Sequence, residues 1–137
     1  MAAIAPVAGR ERRDAAVGDA LHSWAIVQRQ CCAHGPVAEV RRTPLDFVFG
    51  ADLWQHYKPD PETYQGACRL LNLRPNEVML VAAHNRDLRA ASIEGLCTAF
   101  IPRDTEYGPR QTKDLEAEES WTVVASDLRD LASLLST

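Results

Sequence analysis

The chain has 137 residues, 46% of them hydrophobic and 25% charged, with 15 Lys and Arg against 19 Asp and Glu for a net charge of −4. That is one domain's worth of globular sequence, too apolar for a disordered chain and without a run near the roughly 18 apolar residues of a membrane span. The charge is uneven: residues 1–45 carry six Arg against four acids and residues 46–137 carry nine Lys or Arg against fifteen acids, so the larger part argues against a nucleic-acid face, which needs clustered cations.

The start, "MAAIAPVAGRERRDAAVG", has no sustained apolar segment after its basic residues and does not read as a secretory signal, so a cytoplasmic location is expected. "AIVQRQCCAHGPVAEVRRTP" shows neither helical nor alternating periodicity, and Gly35, Pro36 and Pro44 interrupt every candidate element. Residues 1–45 are therefore expected to form an irregular arm, separate from an α/β unit over 46–137. Cys31, Cys32, Cys68 and Cys97 lack the paired spacing of a structural zinc site. Cys68 and Cys97 read as small buried hydrophobes, and neither a metal nor a cofactor is expected.

From Asp46 the grammar is consistent. "DFVFG" is a short strand. "KPDPETYQGACRLLNL" offers Asp60 as N-cap, Pro61 in the first turn, and Tyr64, Cys68 and Leu71 on one helical face. "VMLVAA" is a continuous apolar strand of the kind found in parallel sheets covered on both faces. Asp87 to Glu94 fits a short helix closed by Gly95. "LCTAFI" and "WTVVA" are further strands, and "SDLRDLASLL" is a final helix, with Ser126 as cap and Leu128, Leu131, Leu134 and Leu135 as its apolar stripe.

His84, Asn85, Arg86 and Asp87 stand together after the apolar strand, where open α/β sheets place their ligands. His84 and Asn85 can exchange hydrogen bonds with a carboxylate or a water, though His84 reads equally well as a satisfied loop histidine. Asp87 reads as a functional carboxylate or as a helix N-cap. Arg86 and Arg89 read as solvated helix residues, and Trp54 and Tyr57 as packing aromatics or pocket walls.

The ordered set "HYKPDP", "VAAHNRDLRAA", "GLCTAF" and "RDTEYGP" resembles the C-terminal part of haloacid dehalogenase-like hydrolases, most closely the type II 2-haloacid dehalogenase branch, over about two thirds of the chain. The resemblance implies a Rossmann-like parallel sheet with flanking helices, here lacking the family's N-terminal strand and cap. It also implies hydrolysis of a small 2-haloacid through an aspartyl ester. Lys58 matches the family Lys that neutralises nucleophile and substrate charge, and Asp87 matches the acidic residue that orients that Lys or the attacking water. The phosphatase branches commonly carry Gly-Asp-x-x-x-Asp at this loop and hold magnesium there; Ala83 replaces the first Asp and removes a hard-cation ligand. The best-known dehalogenases carry Ser-Ser-Asn where this chain has Ala82, Ala83 and His84, which leaves the substrate open.

The family's early Asp-x-(Phe or Tyr)-Gly-Thr motif, which carries the nucleophile, does not occur in these residues, and Asp14 and Asp19 lie in no such context. Val27 to Leu45, written back into permitted codons and read one base later, can yield a segment that begins Ser-Asn-Gly-Asn and ends Gly-Leu-Pro-Leu, as the family would have before "DFVFGAD". A frame disruption near Pro44 is therefore expected, and a chain inactive by itself. Without the central strand, "VMLVAA" would present an unpaired edge prone to self-association, giving marginal stability. The rival readings are a non-catalytic remnant that binds a protein partner through that edge and a phosphatase of the same fold.

Overall fold

The computed structural model describes residues 2–6, 24–27, 47–50 and 53–136. Among the described residues, six strands form one sheet: β1 (Ala2–Pro6), β2 (Trp24–Val27), β3 (Phe47–Gly50), β4 (Val78–Ala82), β5 (Cys97–Phe100) and β6 (Val123–Val124), in the order β3-β2-β1-β4-β5-β6. The helices are α1 (Pro61–Leu71), α2 (Asn85–Ile93) and α3 (Leu128–Leu135), with a 3₁₀ turn at Pro75–Glu77 before β4.

The expected parallel unit is present: β4 pairs parallel with β5, Met79 opposite Cys97, and β5 pairs parallel with β6, Ala99 opposite Val123. All five residues of β4 are buried. Its side chains alternate between two cores. Val78, Leu80 and Ala82 join Tyr64, Ala67 and Cys68 of α1 and Leu88 and Ala91 of α2 on one face. Met79 and Val81 join Ala99, Ala125 and Leu131 of α3 on the other. An apolar strand covered on both sides is what a continuous run such as "VMLVAA" requires.

Two strands fall inside the stretch 1–45, where the sequence shows no periodicity; the rest of that stretch, including Asp14, Asp19, Cys31 and Cys32, lies outside the described residues. β1 pairs antiparallel with β4, Ala3 opposite Val81 and Pro6 opposite Val78. The edge of β4 is thus paired, which corrects the expectation of an open edge there and makes the sheet mixed. The pairing escaped sequence reasoning because Ala2–Pro6 is short and carries no alternation to mark a strand.

The capping expectations divide. Asp60 holds the N-cap position of α1 without a side-chain cap bond, its carboxylate instead lying 3.3 Å from His56 Nδ1. Gly95 closes α2 at φ 83°, with its N–H donating to the Ser92 carbonyl and that of Leu96 to the Ala91 carbonyl, the paired bonds of a Schellman motif. α3 is capped by Asp127, whose side chain accepts from the N–H groups of Arg129 and Asp130; Ser126 lies one residue too early. Leu131 is buried and Leu135 half-buried, but Leu128 and Leu134 of the expected stripe are exposed, because a short helix on the sheet covers only a narrow seam.

Candidate active site

β4 delivers its last residues to the carboxyl edge of the parallel strands. The chain passes through Ala83 and an extended His84 (φ −115°, ψ 117°) and enters α2 at Asn85, which places Asp87 in the first turn. A carboxylate there is favoured by the helix dipole. Asp87 is not the cap of α2. Its Oδ2 lies 2.9 Å from Lys58 Nζ, and its Oδ1 accepts a 2.5 Å hydrogen bond from the Tyr64 hydroxyl. Lys58, brought in just before α1, and Asp87 are only 10% and 14% exposed, so water screens the pair weakly.

Tyr64 is fully buried on the inner face of α1. Burial first, then the hydrogen bond to Asp87 and the charge of that carboxylate, push its hydroxyl far above the ordinary tyrosine range. It is held as a donor. The three groups form a fixed unit in which a cation and a neutral hydroxyl share one carboxylate.

A second unit stands one turn away. Asp114 reaches back 30 residues: its Oδ2 is 3.2 Å from His84 Nδ1, and its Oδ1 accepts from the Asn85 backbone N–H at 2.9 Å and from Asn85 Nδ2 at 3.1 Å. Burial works to raise the Asp114 carboxyl, but the hydrogen bonds from Asn85 and His84 outweigh it and hold the group below the usual carboxylate range. The Tyr107 hydroxyl sits 3.1 Å from His84 Nδ1, and Glu106 Oε1 lies 3.4 Å from His84 Nε2.

Asn85 is buried, and its amide is spent. Nδ2 also donates to the Glu116 carbonyl, while Oδ1 accepts from the Glu118 N–H and from Trp121 Nε1 at 3.0 Å. With both N–H bonds and both oxygen lone pairs engaged, Asn85 has nothing left to offer a substrate. Through these bonds Asn85 pins the 114–121 segment.

Around both units opens a hollow of about 950 Å³. Lys58, Asp87, His84, Arg86 and Lys113 line it, with Asp114 at one side. Arg89 is tied to Glu118 and Glu119, whereas the Arg86 side chain makes no hydrogen bond or ion pair with a described residue. Trp54 packs edge-on against Phe49 and donates from Nε1 to the Thr63 carbonyl, and exposed Tyr57 is not among the lining residues, so neither builds the hollow. Cys68 is buried, its thiol pushed up by that burial, and Cys97 is half-buried. Away from the hollow, His56, Asp60 and Glu62 bring ligand-type atoms within 4.8 Å of one another at the exposed start of α1.

The structure brings the sequence candidates Lys58, His84 and Asp87 to one hollow, with Tyr64 and Asp114, which the sequence did not single out, bonded to Asp87 and His84. Tyr64 has the helical spacing of a core residue, and its hydroxyl was the available signal that one end needs a polar partner. Asp114 stands in an acidic polar stretch with nothing to separate it from its neighbours.

The parallel β4-β5-β6 unit, covered by helices on both faces and with a polar half-site at its carboxyl edge, defines the class as a Rossmann-like α/β fold. Residues 41–101 match the family model described as haloacid dehalogenase-like hydrolase, so this carboxyl-terminal part of the chain is similar to that family. The (S)-2-haloacid dehalogenase 4A of Burkholderia cepacia is 34% identical over 93 residues, which are 64% of this chain and 40% of that protein. The (S)-2-haloacid dehalogenase 1 of Pseudomonas sp. (strain CBS-3) is 35% identical over 72 residues, 49% of this chain and 32% of that protein. A crystal structure of an L-2-haloacid dehalogenase superposes with a TM-score of 0.67 at 60% identity, covering 68% of this chain and 40% of its own. A defluorinating L-2-haloacid dehalogenase does so with a TM-score of 0.67 at 50% identity, covering 69% and 38%. The chain thus spans 32% to 40% of the length of these relatives. Among the described residues no helix is long and apolar enough to cross a membrane.

Proposed function

We propose that this chain carries the supporting half of an active site that, in an intact hydrolase, cleaves the carbon–halogen bond of a small 2-haloacid through an aspartyl ester. The observation that carries the reading is the buried Lys58–Asp87–Tyr64 unit facing the hollow. In such a reaction an Asp carboxylate displaces halide from carbon, and water then attacks the ester carbonyl. Lys58 supplies the positive charge that offsets two carboxylates, one on the nucleophile and one on the substrate. Asp87 fixes the ammonium in place, with Tyr64 satisfying its second oxygen. His84, at the strand end, offers a hydrogen-bonding ring to the substrate side.

Lys58 and Asp87 hold no nucleophile between them, and losing a covalent nucleophile removes the pathway rather than weakening it. The chain alone is accordingly expected to release no halide from 2-chloropropionate. Ala83 at the loop position where phosphatases place their first Asp disfavours phosphoryl transfer. The pairing of β1 with β4 also removes the open edge on which a strand-adding partner would depend.

The test begins with the gene. Resequencing across the codons for residues 20–50 and the bases upstream is expected to find one base whose correction opens a frame carrying the nucleophile motif and Ser-Asn-Gly-Asn, and the restored protein is expected to release halide. Halide release by the chain as it stands, or a restored protein that is folded but inert toward 2-haloacids, would overturn the proposal.

A further inference from the structure

The lining of the hollow includes a second carboxylate couple that the Lys58 unit does not use. Asp114 is a non-glycine residue at φ 56°, in the left-handed region, a conformation that costs energy for a side chain with a Cβ and that the surrounding structure must hold. What holds it is its own carboxylate. The group receives hydrogen bonds from the first N–H of α2, from the Asn85 amide and from the His84 ring. It caps α2 from 30 residues away, doing for the helix what His84, at the N-cap position with no side-chain cap bond, does not.

We propose that Asp114 is a positioning residue for His84: it fixes the ring's orientation and its tautomer, so that Nδ1 carries the hydrogen and Nε2 the lone pair. An ionised carboxylate only accepts hydrogen bonds, so a ring nitrogen 3.2 Å from it must carry the hydrogen. Nδ1 is therefore N–H, and the neutral ring has its lone pair on Nε2. The groups facing the ring from the elements around it are Asp114 and Tyr107 at Nδ1 and Glu106 at Nε2. Asp87 and Arg86 from α2 and Lys58 line the same hollow. Glu106 lies within ion-pair distance of Nε2, so the two carboxylates compete for the single proton of the neutral ring. The bond to Asp114, shared with the cap of α2, decides that competition. This is the arrangement by which a buried carboxylate selects one imidazole tautomer in acid–base sites. The geometry stands by itself; only its bearing on a haloacid rests on the function proposed above.

The test uses the whole chain labelled with ¹⁵N and two-bond ¹H–¹⁵N correlation of the His84 ring at a pH where the ring is neutral. The wild type is expected to show Nδ1–H. Asp114→Ala is expected to move the proton to Nε2, since Glu106 is then the remaining carboxylate at the ring, while Glu106→Gln leaves it on Nδ1. Asp114→Asn, whose Oδ1 stays with the two Asn85 donors, turns its amide NH2 toward Nδ1 and is likewise expected to move the ring proton to Nε2. The Trp121 indole N–H, bonded to Asn85, reports in the same spectra that the site is still folded. If Asp114→Ala unfolds the chain, the Asp114→Asn and Glu106→Gln spectra still decide. An Nε2–H tautomer in the wild type, or an unchanged tautomer in folded Asp114→Ala, or a switch in Glu106→Gln would overturn the proposal. Adding 2-chloropropionate to the wild type is a separate reading: the absence of any His84 shift would count against the haloacid function while leaving the Asp114 result intact.

Discussion

Changing Lys58 to Met and Asp87 to Asn, singly and together, asks how tightly the half-site is built. Lys58→Met keeps the aliphatic stem but removes the ammonium. Asp87→Asn keeps an acceptor for the Tyr64 hydroxyl but removes the charge. At 2.9 Å, and with the effective interior dielectric near 20, the gross Coulomb attraction is about 6 kcal/mol. Desolvation of two mostly buried ions offsets much of that. What remains visible is the cost of stranding one partner, about 2–4 kcal/mol for either single change, because each leaves a largely buried charge without its counterion. The double variant removes both charges and is expected to cost about 2 kcal/mol less than the sum of the singles. Urea unfolding at neutral pH measures all three, with the m-value checked for constancy. The coupling should also survive 1 M salt, since a screened surface pair would not. Single costs under about 0.5 kcal/mol, additive in the double, would show a solvated pair and refute the argument from burial.

Tyr64 should stay protonated in the native state at alkaline pH. Its raised folded value means that its stabilisation is complete below the unfolded value near 10 and is lost as pH rises beyond it. Tyrosinate absorbance is then expected to show a component that appears only with unfolding and is missing in Tyr64→Phe. Asp114 runs the other way: with its folded value lowered, its contribution is present above the unfolded value of about 3.9 and is lost as pH falls through the folded one. Amides from Lys58 to Trp121, residues 112–121 among them, should therefore lose protection from exchange together below about pH 4, and Asp114→Ala should show the same loss at neutral pH. Asn85→Ala strands the indole N–H of Trp121, the N–H of Glu118 and the Glu116 carbonyl, and is expected to cost about 3 kcal/mol or more by thermal or urea unfolding. Gly66→Ala would drive a methyl into the Trp54 indole; although Ala is the better helix former, the overlap dominates, costing about 1–3 kcal/mol and shifting the Trp54 emission to the red.

The parallel unit was legible because its signals are local. A five-residue apolar run, a glycine after a short helix and a Pro after Asp60 each specify backbone geometry within a few residues. Lys58 and Asp87 were legible by resemblance, and the structure joins them directly. The anchoring bonds of Asn85 were illegible because its partners, the backbone of Glu116 and Glu118 and the ring of Trp121, lie more than 30 residues on. Asp114 and Tyr64 were illegible for related reasons. One depends on a loop folding back over the strand ends, the other on what meets a hydroxyl at the far end of a core side chain. β1 was missed because strand pairing across more than 70 residues leaves no local mark on five small apolar residues.

The bonds that close the site tie residues 23 to 36 positions apart: Tyr64 to Asp87, Lys58 to Asp87, His84 to Asp114, Asn85 to Trp121. Each crosses from one element to another, and three of the residues are shared between bonds or adjacent in the chain. Such a set cannot loosen one contact at a time. Opening the wall of the hollow frees the first turn of α2, and freeing that turn releases Asp87 from α1. In native-state exchange the region from Lys58 to Trp121 should thus behave as one cooperative unit, breathing together or not at all.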